Sequence, residues 1–108
     1  MSLLSRKDQI IQMLETDPNN SFLLFAIAKE LENEENWQEA RNTYENLFLN
    51  DDSYVALYYH YGKLLERLQE KEAASEMYKL GITKCLESND LHSKSELQSA
   101  LMNLEIGE

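Results

Sequence analysis

The sequence predicts an all-α fold, a short solenoid of about six helices set as antiparallel hairpins, and three observations carry that reading. First, a pattern is written twice: Leu24, Ile27, Ala28 and Leu31, then Ala40 and Tyr44, return as Tyr58, Tyr61, Gly62 and Leu65, then Ala74 and Tyr78. Each member stands thirty-four positions before its partner (31 to 65, 40 to 74, 44 to 78), a period that marks a repeat architecture. Second, one proline and three glycines in 108 residues leave little turn chemistry for a β protein. Third, the chain is rich in Leu, Glu, Ala, Lys and Gln, which favour helix.

Length and charge narrow the classes further. One small domain fits in 108 residues, and 43% hydrophobic with 28% charged is ordinary globular composition. The net charge is −10, twenty acidic side chains against ten basic. Such a field repels phosphate backbones and anionic headgroups, so no nucleic acid and no membrane is expected as a partner. No apolar run approaches the about 20 residues of a membrane span, and the N-terminus lacks the apolar core of a signal peptide. With Cys85 the one cysteine, there is no internal disulfide and no cysteine-rich metal site. A reducing, cytoplasmic setting is expected, with no cofactor and no metal.

Taken in order, residues 3 to 16 carry Leu3, Ile10, Ile11 and Leu14 at helical spacing, and Asp17-Pro18 ends that helix. Asn19, Asn20 and Ser21 offer caps for a helix from about Phe22 to Asn33. After the turn Asn33-Glu34-Glu35-Asn36, Asn36 and Glu39 resemble a capping box for a helix from about Trp37 to Leu49. That helix packs Trp37, Ala40, Tyr44, Leu47 and Phe48. Asn50-Asp51-Asp52-Ser53 breaks the chain before a helix from about Tyr54 to Leu68. Its partner covers about Lys71 to Leu86, with Ala74, Tyr78 and Ile82 inward and an interior Gly81 that implies close packing. Ser93 and Glu96 form a capping box for a last helix from about Lys94 to Glu105.

Small residues recurring opposite large ones, Ala28 and Gly62 or Ala40 and Ala74 against the tyrosines, let hairpin stack on hairpin. On these residues the chain resembles the tetratricopeptide repeat family. The resemblance implies a right-handed superhelical solenoid that is laid out as a half repeat (1–20), two repeats (21–54 and 55–88) and a C-terminal capping helix (93–106). Departures are Asp52 and Leu86 where a closing proline is expected, and Leu47 and Gly81 where the family prefers alanine.

Chemistry is sparse. His60 and His92 lack a neighbouring ligand at metal spacing, and Cys85 has no base beside it. Glu34/Glu35, Asp51/Asp52 and Glu70/Glu72 fall at helix ends, where carboxylates act as caps. No Gly-rich phosphate loop is present. An enzyme is not expected.

A second stripe runs one place beyond the core positions: Phe22, Phe25, Lys29, Glu32 and Asn33, then Tyr59, Lys63, Glu66 and Arg67. The resemblance implies that these face a concave groove that binds a peptide or partner protein. Aromatic anchors with Lys29, Lys63 and Arg67 suit a peptide bearing carboxylate or acidic groups. The asparagines that chaperone-binding members carry at the places of Lys29 and Lys63 are missing. The expected function is a non-catalytic adaptor, and the alternative is self-association as a homodimer through a solenoid end or aromatic face.

Overall fold

Polar caps and tight left-handed turns cut the chain into helices. In the computed structural model, which describes residues 3–107, six helices follow one another. They are α1 (Arg6–Thr16), α2 (Ser21–Asn33), α3 (Trp37–Asn50), α4 (Ala56–Arg67), α5 (Lys71–Ser88) and α6 (Leu91–Ile106). The fold is an all-α helical repeat. Residues 1 and 2 of the expected half repeat lie outside the described residues. The chain divides into two compact units, Met1–Asp52 and Ser53–Glu108.

Three helices begin at a side-chain cap. Ser5 accepts from the Asp8 N–H at 3.1 Å, Asn20 from the Leu23 N–H at 3.0 Å, and Asp90 from the Ser93 N–H at 3.1 Å. The last of these corrects the expected Ser93/Glu96 box. Asn89 adopts the left-handed conformation and ends α5, the Asp90 N–H returns to the Cys85 carbonyl at 2.9 Å, and α6 starts at once. It therefore opens at Leu91 rather than near Lys94.

The Asn36/Glu39 box does not form either, because Asn36 makes no side-chain cap. The turn does the orienting instead. Glu35 and Gln69, thirty-four positions apart, have φ of 60° and 64°. The next N–H, of Asn36 or Glu70, bonds the Leu31 or Leu65 carbonyl at 2.9 Å. These are the crossed bonds that close a helix through a left-handed residue.

In the first unit α2 pairs with α3, and α1 packs against α2. The expected α1 stripe is mostly open: Ile10 is buried, Leu14 is half-buried, and Leu3 and Ile11 are exposed. In the second unit α4 pairs with α5, and α6 packs on α5 and more lightly on α4. Trp37, Phe48 and Ile82 are half-buried rather than fully inside.

Packing at the repeat positions is tight. Ala28, Ala40, Ala74, Tyr44, Tyr58 and Tyr78 are fully buried. A Cβ on Gly62 would come within 2.3 Å of the Tyr78 ring. One on Gly81 would come within 2.6 Å of Tyr58 Cβ and 2.8 Å of Leu97 Cδ1. The missing methyl at Gly81 thus lets α4, α5 and α6 meet, as its place inside a helix implied.

Buried phenols need acceptors. The Tyr44 hydroxyl donates to Glu32 Oε2, and the Tyr78 hydroxyl donates to Glu66 Oε2. Burial first, and the carboxylate partner second, push both phenols far above the ordinary tyrosine value of 10.0.

Three outcomes follow from this packing. Gly81→Ala gains about 1 kcal/mol of helix propensity but meets an overpacking penalty of roughly 1–3 kcal/mol, so a lower urea midpoint is expected. Glu35→Gly relieves roughly 1–2 kcal/mol of left-handed strain against about 0.5–1 kcal/mol of glycine entropy, so the midpoint should rise. The third concerns pH. Unfolded tyrosine ionises near pH 10.0 while the folded phenols stay protonated, so the unfolded state sheds protons first and stability falls as pH rises above that value. Their contribution is complete below it. Urea midpoints across the alkaline range should show the fall, and Tyr44→Phe and Tyr78→Phe should each make it shallower.

Candidate functional site

On α2, the residues that the sequence assigns to one face have different neighbours. Phe22 is 62% exposed and borders an open groove of about 380 Å³ with Met13, Thr16 and Leu23. Phe25 is half-buried, its ring centroid 6.3 Å from that of Tyr44. Lys29 is half-buried. Glu32 is bound to the Tyr44 hydroxyl. Asn33 is exposed and donates to Glu30 Oε2 at 3.4 Å. The face is therefore part surface and part hairpin core.

On α4, two of the four residues gather at one place. Tyr59 and Lys63 line a groove of about 290 Å³ between α4 and α6. Lys63 Nζ lies 5.9 Å from the Tyr59 ring centroid, within cation–π range, and 3.8 Å from Glu66 Oε2. The Tyr59 ring also meets the His60 ring edge-on, with centroids 5.5 Å apart. Glu66 is bound to the Tyr78 hydroxyl, and Arg67 is exposed at the end of α4.

The opposite wall of the groove comes from α6: Ser95, Ser99 and Asn103, with Glu96 and His92 at the edge. Ser95, Ser99 and Asn103 recur every fourth residue, so one side of the helix offers two hydroxyls and an amide in a row. His92 and Glu96 face each other at 3.7 Å. Sequence reading missed this wall. Its signal was available as a polar row beside Leu97, Ala100 and Leu104, inside the expected helix, but the repeat pattern does not say which face of that helix meets α4.

Ionisable groups away from this groove also have structural partners. Burial raises the Cys85 thiol above its usual range, which disfavours the thiolate a nucleophile needs. The Ser93 backbone N–H holds the Asp90 carboxyl below its usual value, as befits a cap. The Glu34 carboxylate, 2.9 Å from Lys7 Nζ, raises that lysine and ties α1 to the end of α2. Glu34 thus closes α2 as its C-cap and serves α1, rather than capping a first turn. Among the described residues, no three His, Cys, Asp or Glu side chains gather as a metal site. No helix among them is long and apolar enough to cross a membrane.

No family model matches the sequence, and no curated protein matches it. Solved structures do. A solution structure of a tetratricopeptide repeat domain protein from Salinibacter ruber is similar at 36% identity and a TM-score of 0.81, covering 84% of this chain and 92% of that one. A crystal structure of a tetratricopeptide repeat domain protein from the same organism gives 36% identity and a TM-score of 0.79, with 82% and 100% covered. The TPR2B domain of yeast Sti1, solved as a complex with pHsp70, shares the fold at a TM-score of 0.86 and 18% identity, with 94% and 82% covered. Matched over most of both chains at 36% identity, this chain belongs to the tetratricopeptide repeat family.

Proposed function

We infer that the protein is a non-catalytic interaction module, an adaptor whose α4–α6 groove takes a peptide segment of a partner protein. The groove itself is the observation that carries this reading. Tyr59 offers a flat apolar surface, Lys63 an ammonium, and the Ser95–Ser99–Asn103 row a set of donors and acceptors at regular spacing. An extended peptide needs all three: an anchor, a charge partner and a row of backbone partners. Lys63 suits a carboxylate or another acidic group on that peptide. Family membership supports the same class of function, and the yeast Sti1 domain was solved with a protein-derived partner, pHsp70. What carries over is the class of ligand and not its identity.

The face of α2 is the second contact region in this reading, through Lys29 and the exposed part of Phe25. Glu32 and Glu66 contribute by holding the hairpins rather than by direct contact. A second reading, self-association, is favoured by one observation. Met13 and Phe22, 55% and 62% exposed, border a single open groove in the first unit.

Partners captured on the wild-type chain provide the test, followed by titration with Lys29→Glu/Lys63→Glu. Losing one charge-assisted hydrogen bond of roughly 1.5–3 kcal/mol weakens binding by about tenfold or more, and that loss is expected. Unchanged affinity for every captured partner would sink the groove. A concentration-dependent mass in sedimentation that Phe22→Ala abolishes would favour self-association instead.

A further inference from the structure

Three side chains at the edge of the α4–α6 groove are tied in a line that begins in the core. Tyr78 is fully buried, and its hydroxyl donates to Glu66 Oε2. That same oxygen stands 3.8 Å from Lys63 Nζ, and Lys63 Nζ lies 5.9 Å from the Tyr59 ring centroid. Lys63 and Tyr59 line the groove, and Glu66 borders a second one with Gln69, Lys71 and Leu104.

We propose that Glu66 is the positioning residue of this groove: anchored from below by Tyr78, it holds the Lys63 ammonium over the Tyr59 ring and so sets where a ligand's acidic group is received. The reasoning is one of freedom. A half-exposed lysine has a long flexible stem, and a lone surface ion pair does not hold such a side chain in one place. Here the carboxylate is not free to follow the lysine. One of its oxygens is bonded to a phenol whose ring fills the slot that Gly62 leaves. A fixed anion on one side and a ring face on the other confine the ammonium, which has three donors and keeps capacity for a ligand.

The consequence for a ligand rests on the groove reading above, but the test does not, because it is made on the free chain. A ring current from Tyr59 shields protons held against its face. In the full chain with ¹³C-labelled lysine, the Lys63 CεH2 signal should therefore lie upfield of an exposed lysine, and Tyr59→Leu should return it. Glu66→Gln keeps an acceptor for Tyr78 but removes the charge, and should abolish most of the upfield displacement. Tyr78→Phe, with helix content intact by circular dichroism, should abolish part of it by loosening the carboxylate. A merely structural Tyr78 would leave the signal alone. An unchanged Lys63 signal in Glu66→Gln, or in folded Tyr78→Phe, overturns the proposal. Partner binding that survives Lys29→Glu/Lys63→Glu would instead count against the groove and leave the positioning intact.

Discussion

In each hairpin a tyrosine ring from the second helix lies fully buried with its hydroxyl bonded to a glutamate of the first. Tyr44 reaches Glu32 across the α2–α3 pair and Tyr78 reaches Glu66 across the α4–α5 pair. The ring needs space, and the first helix provides it by carrying Gly62 opposite Tyr78. The hydroxyl needs an acceptor, since a buried phenol without one costs about 1–3 kcal/mol. Both demands fall on the first helix, four residues apart at Gly62 and Glu66, which are neighbours on one helical face. The thirty-four-residue period is therefore a period of one packing unit: a small residue, an acid one turn later, and a tyrosine twelve residues after the acid.

The two units meet this demand with different strictness. In the first, Ala28 stands where the second has Gly62, and the half-buried Phe25 leans on Tyr44. The second adds α6, whose Leu97 seats against Gly81. α1 packs mainly against α2, whereas α6 packs on both α5 and α4. Both helices leave apolar side chains exposed, Ile11 and Met13 on α1 and Leu91, Met102 and Ile106 on α6, while α6 also buries Leu97 and Ala100.

Repeat positions were legible in the sequence because identical pressures act twice. Leu31 and Leu65, Ala40 and Ala74, and Tyr44 and Tyr78 recur, and a coincidence at that spacing is improbable. Helix ends were less so. Asn36 has the chemistry of a cap, yet the crossed bonds at Glu35 had already fixed the chain's direction, and a glutamate in a left-handed conformation carries no sequence mark. Ser93 and Glu96 read as a local box, but Asp90 stands earlier and accepts the Ser93 N–H that the box would need. On α4, Tyr59 and Lys63 were found because they flank the core stripe. Their opposite wall on α6 depends on where a third helix lands, which periodicity inside two repeats does not specify. Glu32 and Glu66 were read as surface residues, since a twelve-residue separation on paper hides a hydrogen bond between paired helices.

Groove geometry and stability meet at the second unit through Gly81. With no Cβ there, Tyr58 of α4 and Leu97 of α6 both approach the α5 backbone closely. Those two contacts determine how near α6 stands to α4. Tyr59 follows Tyr58 in the chain, and Ser95 and Ser99 flank Leu97, so the width of the groove between them is set by an atom that is absent from α5. Lys63 is placed by Glu66, and Glu66 by Tyr78, whose ring occupies the other glycine slot at Gly62. Both coordinates of the groove, its width and the position of its cation, thus trace back to the two interior glycines. Each glycine weakens helix propensity by about 1 kcal/mol. That local disadvantage is offset by helix approach and ring seating, and the geometry of the α4–α6 groove is their product.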